Sequence, residues 1–85
     1  PAFVRIRPNP AARLAEVSYS LPRAGTARVT LYDAAGRAVT LLAAGPQSAG
    51  THIARLDASG LGAGVYWVKL ESGAGSRTAK LAIQH

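Results

Sequence analysis

A hydrolytic centre needs a nucleophile, a base to activate it and an acid to orient the base. The groups this chain offers for the last two roles are His52 and His85, with Asp33 and Asp57. Each has a simpler local reading. Asp33 opens Asp33-Ala34-Ala35-Gly36-Arg37, where a carboxylate accepts from the amides of a turn. Asp57 begins a glycine-rich stretch and reads as a loop cap. His85 is the final residue and is expected to be mobile. No pair has a role that backbone chemistry does not already fill, so the chain reads as non-catalytic. Asp57-Ala58-Ser59-Gly60 has the outline of a calcium loop but lacks the dense carboxylates and closing glutamate such loops need. The run from Gly60 to Gly64 has no lysine and follows no βα pattern, which argues against a phosphate cradle. No metal or other cofactor is expected.

The charge is informative mainly for what it excludes. Formal net charge is +6, nearly all the cations are arginine, and they are dispersed. A solvated outer surface that keeps the domain in solution explains this best. Attraction to an anionic surface polysaccharide is the sharper alternative. Nucleic acid is not an expected partner, because no aromatic-basic ribonucleoprotein signature is present. There is no cysteine, hence no disulfide framework and no thiolate metal site. No apolar run approaches the roughly 20 residues that a membrane-spanning helix requires.

A chain of 85 residues is one domain, here residues 1–85. It starts at Pro1 without a methionine or signal peptide, and is expected to be a piece excised from a longer protein. Apolar residues alternate with polar ones between turn signals, and sustained helical periodicity is missing. The alternation predicts strands over residues 3–7, 14–21, 26–32, 37–44, 51–56, 65–71 and 77–84. The inward residues are Val17, Tyr19 and Leu21; Ala27, Val29 and Leu31; Val39 with Leu41 or Leu42; either Ile53 or His52, Ala54 and Leu56; Tyr66, Val68 and Leu70; and Ala79, Leu81 and Ile83. Gly45 to Gly50 reads as a surface loop, and Leu61 as a plug for one end of the core. Pro8-Asn9-Pro10 must break the first strand, since neither proline can donate to a ladder. Seven short antiparallel strands with one apolar face each predict an all-β, Ig-like sandwich. In that order strands three and six are neighbours, so Tyr32 and Trp67 share an outer face with Arg28, Thr30 and Lys69. Such an aromatic pair suits a sugar ring or a protein contact. The plainer reading is a tryptophan lying over arginine stems with cation–π assistance.

One ordered set of phrases goes beyond composition. Pro8-Asn9-Pro10 is followed by Ser18-Tyr19-Ser20-Leu21-Pro22, Val29 to Arg37, Gly64-Val65-Tyr66 and Lys80-Leu81-Ala82-Ile83-Gln84. Over about Ile6 to Gln84 the set resembles the C-terminal sorting domains of type IX secretion cargo. It is also similar to the Ig-like domain of flagellar hook-capping proteins. By comparison with the family, His52, Ala54 and Leu56 are the inward set of the fifth strand. The resemblance implies a non-catalytic domain at the end of a secreted passenger, which it carries through the periplasm and outer membrane to the cell surface. It implies two partners, the type IX machinery and a sortase-like peptidase. Pro8, Asn9, Pro10, Asp33, Gly36, Arg37, Gly64 and Tyr66 match the family's structural motif. Lys80, Leu81, Ile83 and Gln84 match its recognition motif, although the basic residue that closes many members is replaced by Gln84-His85. On this reading the machinery recognises the folded domain through its last strand, whose unpaired edge invites strand addition. Two alternatives remain beside it: a passive Ig-like spacer or assembly module, and a carbohydrate-binding module using Trp67 and Tyr32.

Overall fold

The structure is a computed structural model describing residues 2–85. Seven strands follow one another: β1 (Phe3–Arg7), β2 (Leu14–Leu21), β3 (Gly25–Asp33), β4 (Ala38–Gln47), β5 (Gly50–Asp57), β6 (Gly64–Ser72) and β7 (Gly75–Ile83). They form an antiparallel three-stranded sheet, β1-β2-β5, packed on a four-stranded sheet, β4-β3-β6-β7. The fold is the all-β, Ig-like sandwich that the alternation predicts. No helix in the described residues is long and apolar enough to cross a membrane.

Alternation works because one face of each sheet turns to a shared core. Val17, Val29, Leu31, Val68, Leu70, Leu81 and Ile83 are almost completely buried there. Each such side chain contributes about 1.5–3 kcal/mol relative to exposure. On β5, Ala54 and Leu56 face inward while Ile53 is 57% exposed, which selects the His52, Ala54 and Leu56 register. Leu61 packs on the core as expected, and Ala58, fully buried, joins it.

β4 departs from expectation. Its register against β3 shifts twice, leaving Leu42 and then Val39 without a paired residue. Each extra residue swings the side chains that follow to the other face. Leu42 therefore packs on the core, whereas Leu41 and Val39 are exposed; the inward placement of Val39 is corrected. The surface loop starting at Gly45 is also corrected. Gly45, Pro46 and Gln47 continue β4 opposite Ala27, Thr26 and Gly25, and only Ser48 and Ala49 separate it from β5. Pro46 is tolerated because β4 is an edge strand.

Thr30 lies on the outer face yet is only 6% exposed, between its cross-strand partners Leu41 and Lys69. Its Oγ1 has no hydrogen-bond partner among the described residues.

Candidate functional site

The motif residues gather in two places, the edge of β7 and the end of the sandwich where β3 turns and β6 begins. At the first, the chain leaves β1 through Pro8-Asn9-Pro10, with cis peptide bonds at Arg7–Pro8 and Asn9–Pro10. The Asn9 carboxamide then behaves as a peptide group. Its Nδ2 donates to the Lys80 carbonyl at 2.9 Å, and its Oδ1 accepts from the Ala82 amide at 3.1 Å. Ala11 continues the pairing: its amide donates to the Ala82 carbonyl at 2.8 Å, and its carbonyl accepts from the Gln84 amide at 2.9 Å. The last strand's edge is therefore not open at its C-terminal end; residues 9–11 already occupy it. Sequence reasoning missed Ala11 altogether. The available signal was an asparagine held between two prolines, a side chain whose carboxamide carries both halves of a peptide group.

The side chains of the last strand divide by face. Leu81 and Ile83 are buried, so they can only close the core. Lys80 is exposed on the outer face beside its cross-strand partner Trp67. Gln84 is exposed just beyond β7. His85 is not left without a partner: its Nε2 lies 2.6 Å from the Leu61 carbonyl, on the loop before β6.

At the second place, Asp33 organises the β3–β4 turn. Its Oδ1 accepts from the amides of Ala35 at 3.0 Å and Arg37 at 2.9 Å, and its Oδ2 meets Arg37 Nε at 3.0 Å. The Arg37 amide above all holds the Asp33 carboxyl below the ordinary carboxylate value; desolvation, next in size, pushes the other way, and the Arg37 guanidinium and Ala35 amide add to the lowering. Gly36 supplies the left-handed conformation, at φ 85, that closes the turn. Nearby, Gly64 opens β6 at φ 152, and the Tyr66 hydroxyl donates to the Gly62 carbonyl at 2.7 Å, four residues upstream. This bond is that of a tyrosine corner, tying a strand to the crossing before it. Asp57 caps the same crossing. Its Oδ1 accepts from the Ser59 hydroxyl and amide, which lower its pKa from the ordinary value.

The outer face of the four-stranded sheet sets Tyr32 directly opposite Trp67, with Lys80 beyond it. Trp67 is 39% exposed and Tyr32 partly so. The cation–π contact expected at Trp67 forms elsewhere among the described residues, where Arg5 lies over Phe3. The stacked aromatic pair is Tyr19 with His52, on the core side of β2 and β5. Gln47 accepts from the Tyr19 hydroxyl, and His52 Nε2 lies 2.8 Å from the Ser48 carbonyl. These contacts tie the passage from β4 to β5, which changes sheets.

His52 and His85 thus serve backbone carbonyls, while Asp33 and Asp57 serve turns. The structure brings none of these four together. Comparison with curated proteins finds no match. Residues 5–84 match the family described as the secretion system C-terminal sorting domain. That span takes in the Asn9 contacts, the Asp33 turn, the Tyr66 corner and all of β7: the chain belongs to the family of C-terminal sorting domains of type IX secretion.

Proposed function

We propose that this domain sits at the C-terminus of a larger passenger, takes it through the type IX apparatus across the outer membrane, and is read as a folded unit rather than as a linear tag. The family match over residues 5–84 carries the reading. What supports recognition of a folded unit is the placement of the motif. Pro8 to Pro10 and Lys80 to Gln84 lie at opposite ends of the sequence but in one hydrogen-bonded cluster. An unfolded chain would not present them together.

Within that cluster the residues have different duties. Leu81 and Ile83 act through the core they complete. Lys80, exposed beside Trp67, is the side chain a receptor reads directly, with Gln84 exposed four residues further along the chain. Pro8, Asn9 and Pro10 hold that strand in place. Asp33, Gly36, Arg37, Gly64 and Tyr66 shape the adjoining end of the sandwich, where Gly64 and Tyr66 pair with Ile83 and Leu81 and Asp33 pairs with Tyr66. The domain contributes no chemistry of its own; any cleavage belongs to a sortase-like peptidase that acts on the passenger at the surface.

The test fuses residues 1–85 to the C-terminus of an inert periplasmic reporter in a bacterium with type IX secretion. Removing Lys80 to His85 abolishes export, both by opening the core and by removing the motif. Lys80→Ala separates the two effects, because an outward lysine contributes little to folding. Export lost with unfolding unchanged supports direct reading of Lys80. Normal export of that variant removes Lys80 from the recognised surface.

A further inference from the structure

A sandwich of two open sheets has four edges, and a partner strand can join only where peptide groups are free. The edge of β4 is interrupted by its two register shifts, and Pro46 has no N–H to give. β1 is five residues long and is stopped by Pro8. On β7, the Lys80 carbonyl, both groups of Ala82 and the Gln84 amide are taken by Asn9 and Ala11.

β5 is different. The Ala58 amide donates to the Arg13 carbonyl at 2.9 Å, which fixes the phase of the β2–β5 ladder. In that phase Ala54 and Leu56 bond to β2, while Thr51, Ile53 and Arg55 turn their N–H and C=O groups away from it. Among the described residues no hydrogen bond reaches these groups from the protein. No register shift interrupts the pairing from Gly50 to Asp57, and no proline lies in it. The free groups recur every second residue over about 14 Å, a length of strand at roughly 3.4 Å per residue. Ile53, at the middle of the run, is 57% exposed.

We propose that the β5 edge, not the β7 edge, is where an extended segment of an acidic partner protein adds to this domain during export. The biological setting rests on the sorting function proposed above; the assignment of the edge rests on the hydrogen-bond pattern. Charge selects the partner. The chain carries a net +6, and of its ten lysines and arginines only Arg37, Arg55 and Lys69 have a carboxylate within 4.0 Å among the described residues. Arg7, Glu16 and Arg55 form one cross-strand row, in which Glu16 meets Arg55 at 3.6 Å and Arg7 has no carboxylate within 4.0 Å among the described residues. A strand laid along β5 meets this row with a carboxylate and covers Ile53 with an apolar side chain. A second copy is geometrically able to pair antiparallel about Ile53, with Arg55 facing the other copy's Thr51. It would bring two domains of net +6 together, and so is the poorer occupant.

The reporter fusion tests this with four single variants, each checked for unchanged thermal unfolding. Ile53→Pro removes an outward N–H without breaking a bond to β2. Ile53→Glu and Ile53→Lys keep that N–H and differ only in the sign of charge offered to the partner. Thr78→Pro removes an outward N–H from the uncovered part of the β7 edge. The expected result is at least tenfold less export for Ile53→Pro and Ile53→Glu, a clearly smaller loss for Ile53→Lys, which gives up the apolar contact but keeps the favourable charge, and export close to the parent for Thr78→Pro. Loss in Thr78→Pro with the Ile53 variants exported transfers the docking edge to β7 and overturns the proposal. Normal export in all four overturns strand addition at either edge. Equal loss in Ile53→Glu and Ile53→Lys overturns the acidic partner. If Ile53→Pro fails to fold, the two charge variants decide. A photoreactive residue at position 53, compared with one at 78, reads the edge in cells even if the parent fusion is retained. Retention of the parent refutes the sorting function alone, and a crosslink only to a second copy refutes the acidic partner.

Discussion

Asn9 and Lys80 are separated by 71 residues of sequence, yet the Asn9 carboxamide donates to the Lys80 carbonyl at 2.9 Å and takes the Ala82 amide in return. One side chain thus extends the four-stranded sheet by a single peptide-like rung. Asn9→Ala leaves two backbone groups on the β7 edge to water, and because the site is exposed the expected cost is about 1 kcal/mol. Denaturant unfolding measures that loss. Amide exchange supplies the specific sign, with Ala82 exchanging faster while core amides on β3 keep their protection. Unchanged exchange at Ala82 would mean that the contact does not persist in solution.

Gly36 adopts φ 85 in the turn that Asp33 organises. A β-branched residue is strained there even though open space surrounds the position. Gly36→Val is expected to lose about 1–3 kcal/mol in thermal or chemical unfolding. Full stability in the variant would contradict the turn geometry.

Asp33 also ties stability to pH. Its folded-state pKa lies below the unfolded value of 3.8, chiefly through the Arg37 amide. Its contribution is therefore fully present above that value and is lost as pH falls through the lower folded-state value. Asp57, lowered by the Ser59 hydroxyl and amide, acts in the same direction. Urea unfolding followed from pH 6 down to 2 should show a shallower acid limb in Asp33→Asn than in the parent. Parallel curves would mean that Asp33 titrates alike folded and unfolded.

Thr30 carries a hydroxyl hidden from water without a hydrogen-bond partner. Valine keeps the shape and β-branching and removes the desolvated group, so Thr30→Val is expected to be neutral or stabilising by up to about 1 kcal/mol. A loss greater than that would show that the hydroxyl is bonded after all. Trp67 gives a contrasting measurement on the same face. At 39% exposure, Trp67→Ala should cost on the order of 1 kcal/mol, whereas Leu81→Ala at full burial should cost about 2–5 kcal/mol. A reversed order would place Trp67 in the core.

The fold was legible wherever one face of a strand is apolar and the other polar. Val17, Tyr19 and Leu21 on β2, and Ala79, Leu81 and Ile83 on β7, lie inward as alternation requires. The reading failed on β4, because two unpaired residues reset the phase and an edge strand accommodates Pro46. A bulge has no local hydrophobic signature, and Leu41-Leu42 fits either register equally well. The Tyr66 corner and the Asp33 turn were legible because their bonds span only four residues. The Asn9 contacts were not, since they join residues more than 70 apart, and no pattern within a strand reports on such a pair. The blocked end of the β7 edge was invisible for the same reason, which is why the sequence pointed to that edge for strand addition.

The sorting function is tested most directly by the reporter carrying residues 1–85, placed in a type IX–competent bacterium and in the same strain with its type IX translocon deleted. Surface and medium fractions are compared with the periplasm. The reporter is expected outside the cell only in the competent strain, and in the periplasm of the deletion strain. Retention in both strains, or equal release from both, would contradict the sorting function.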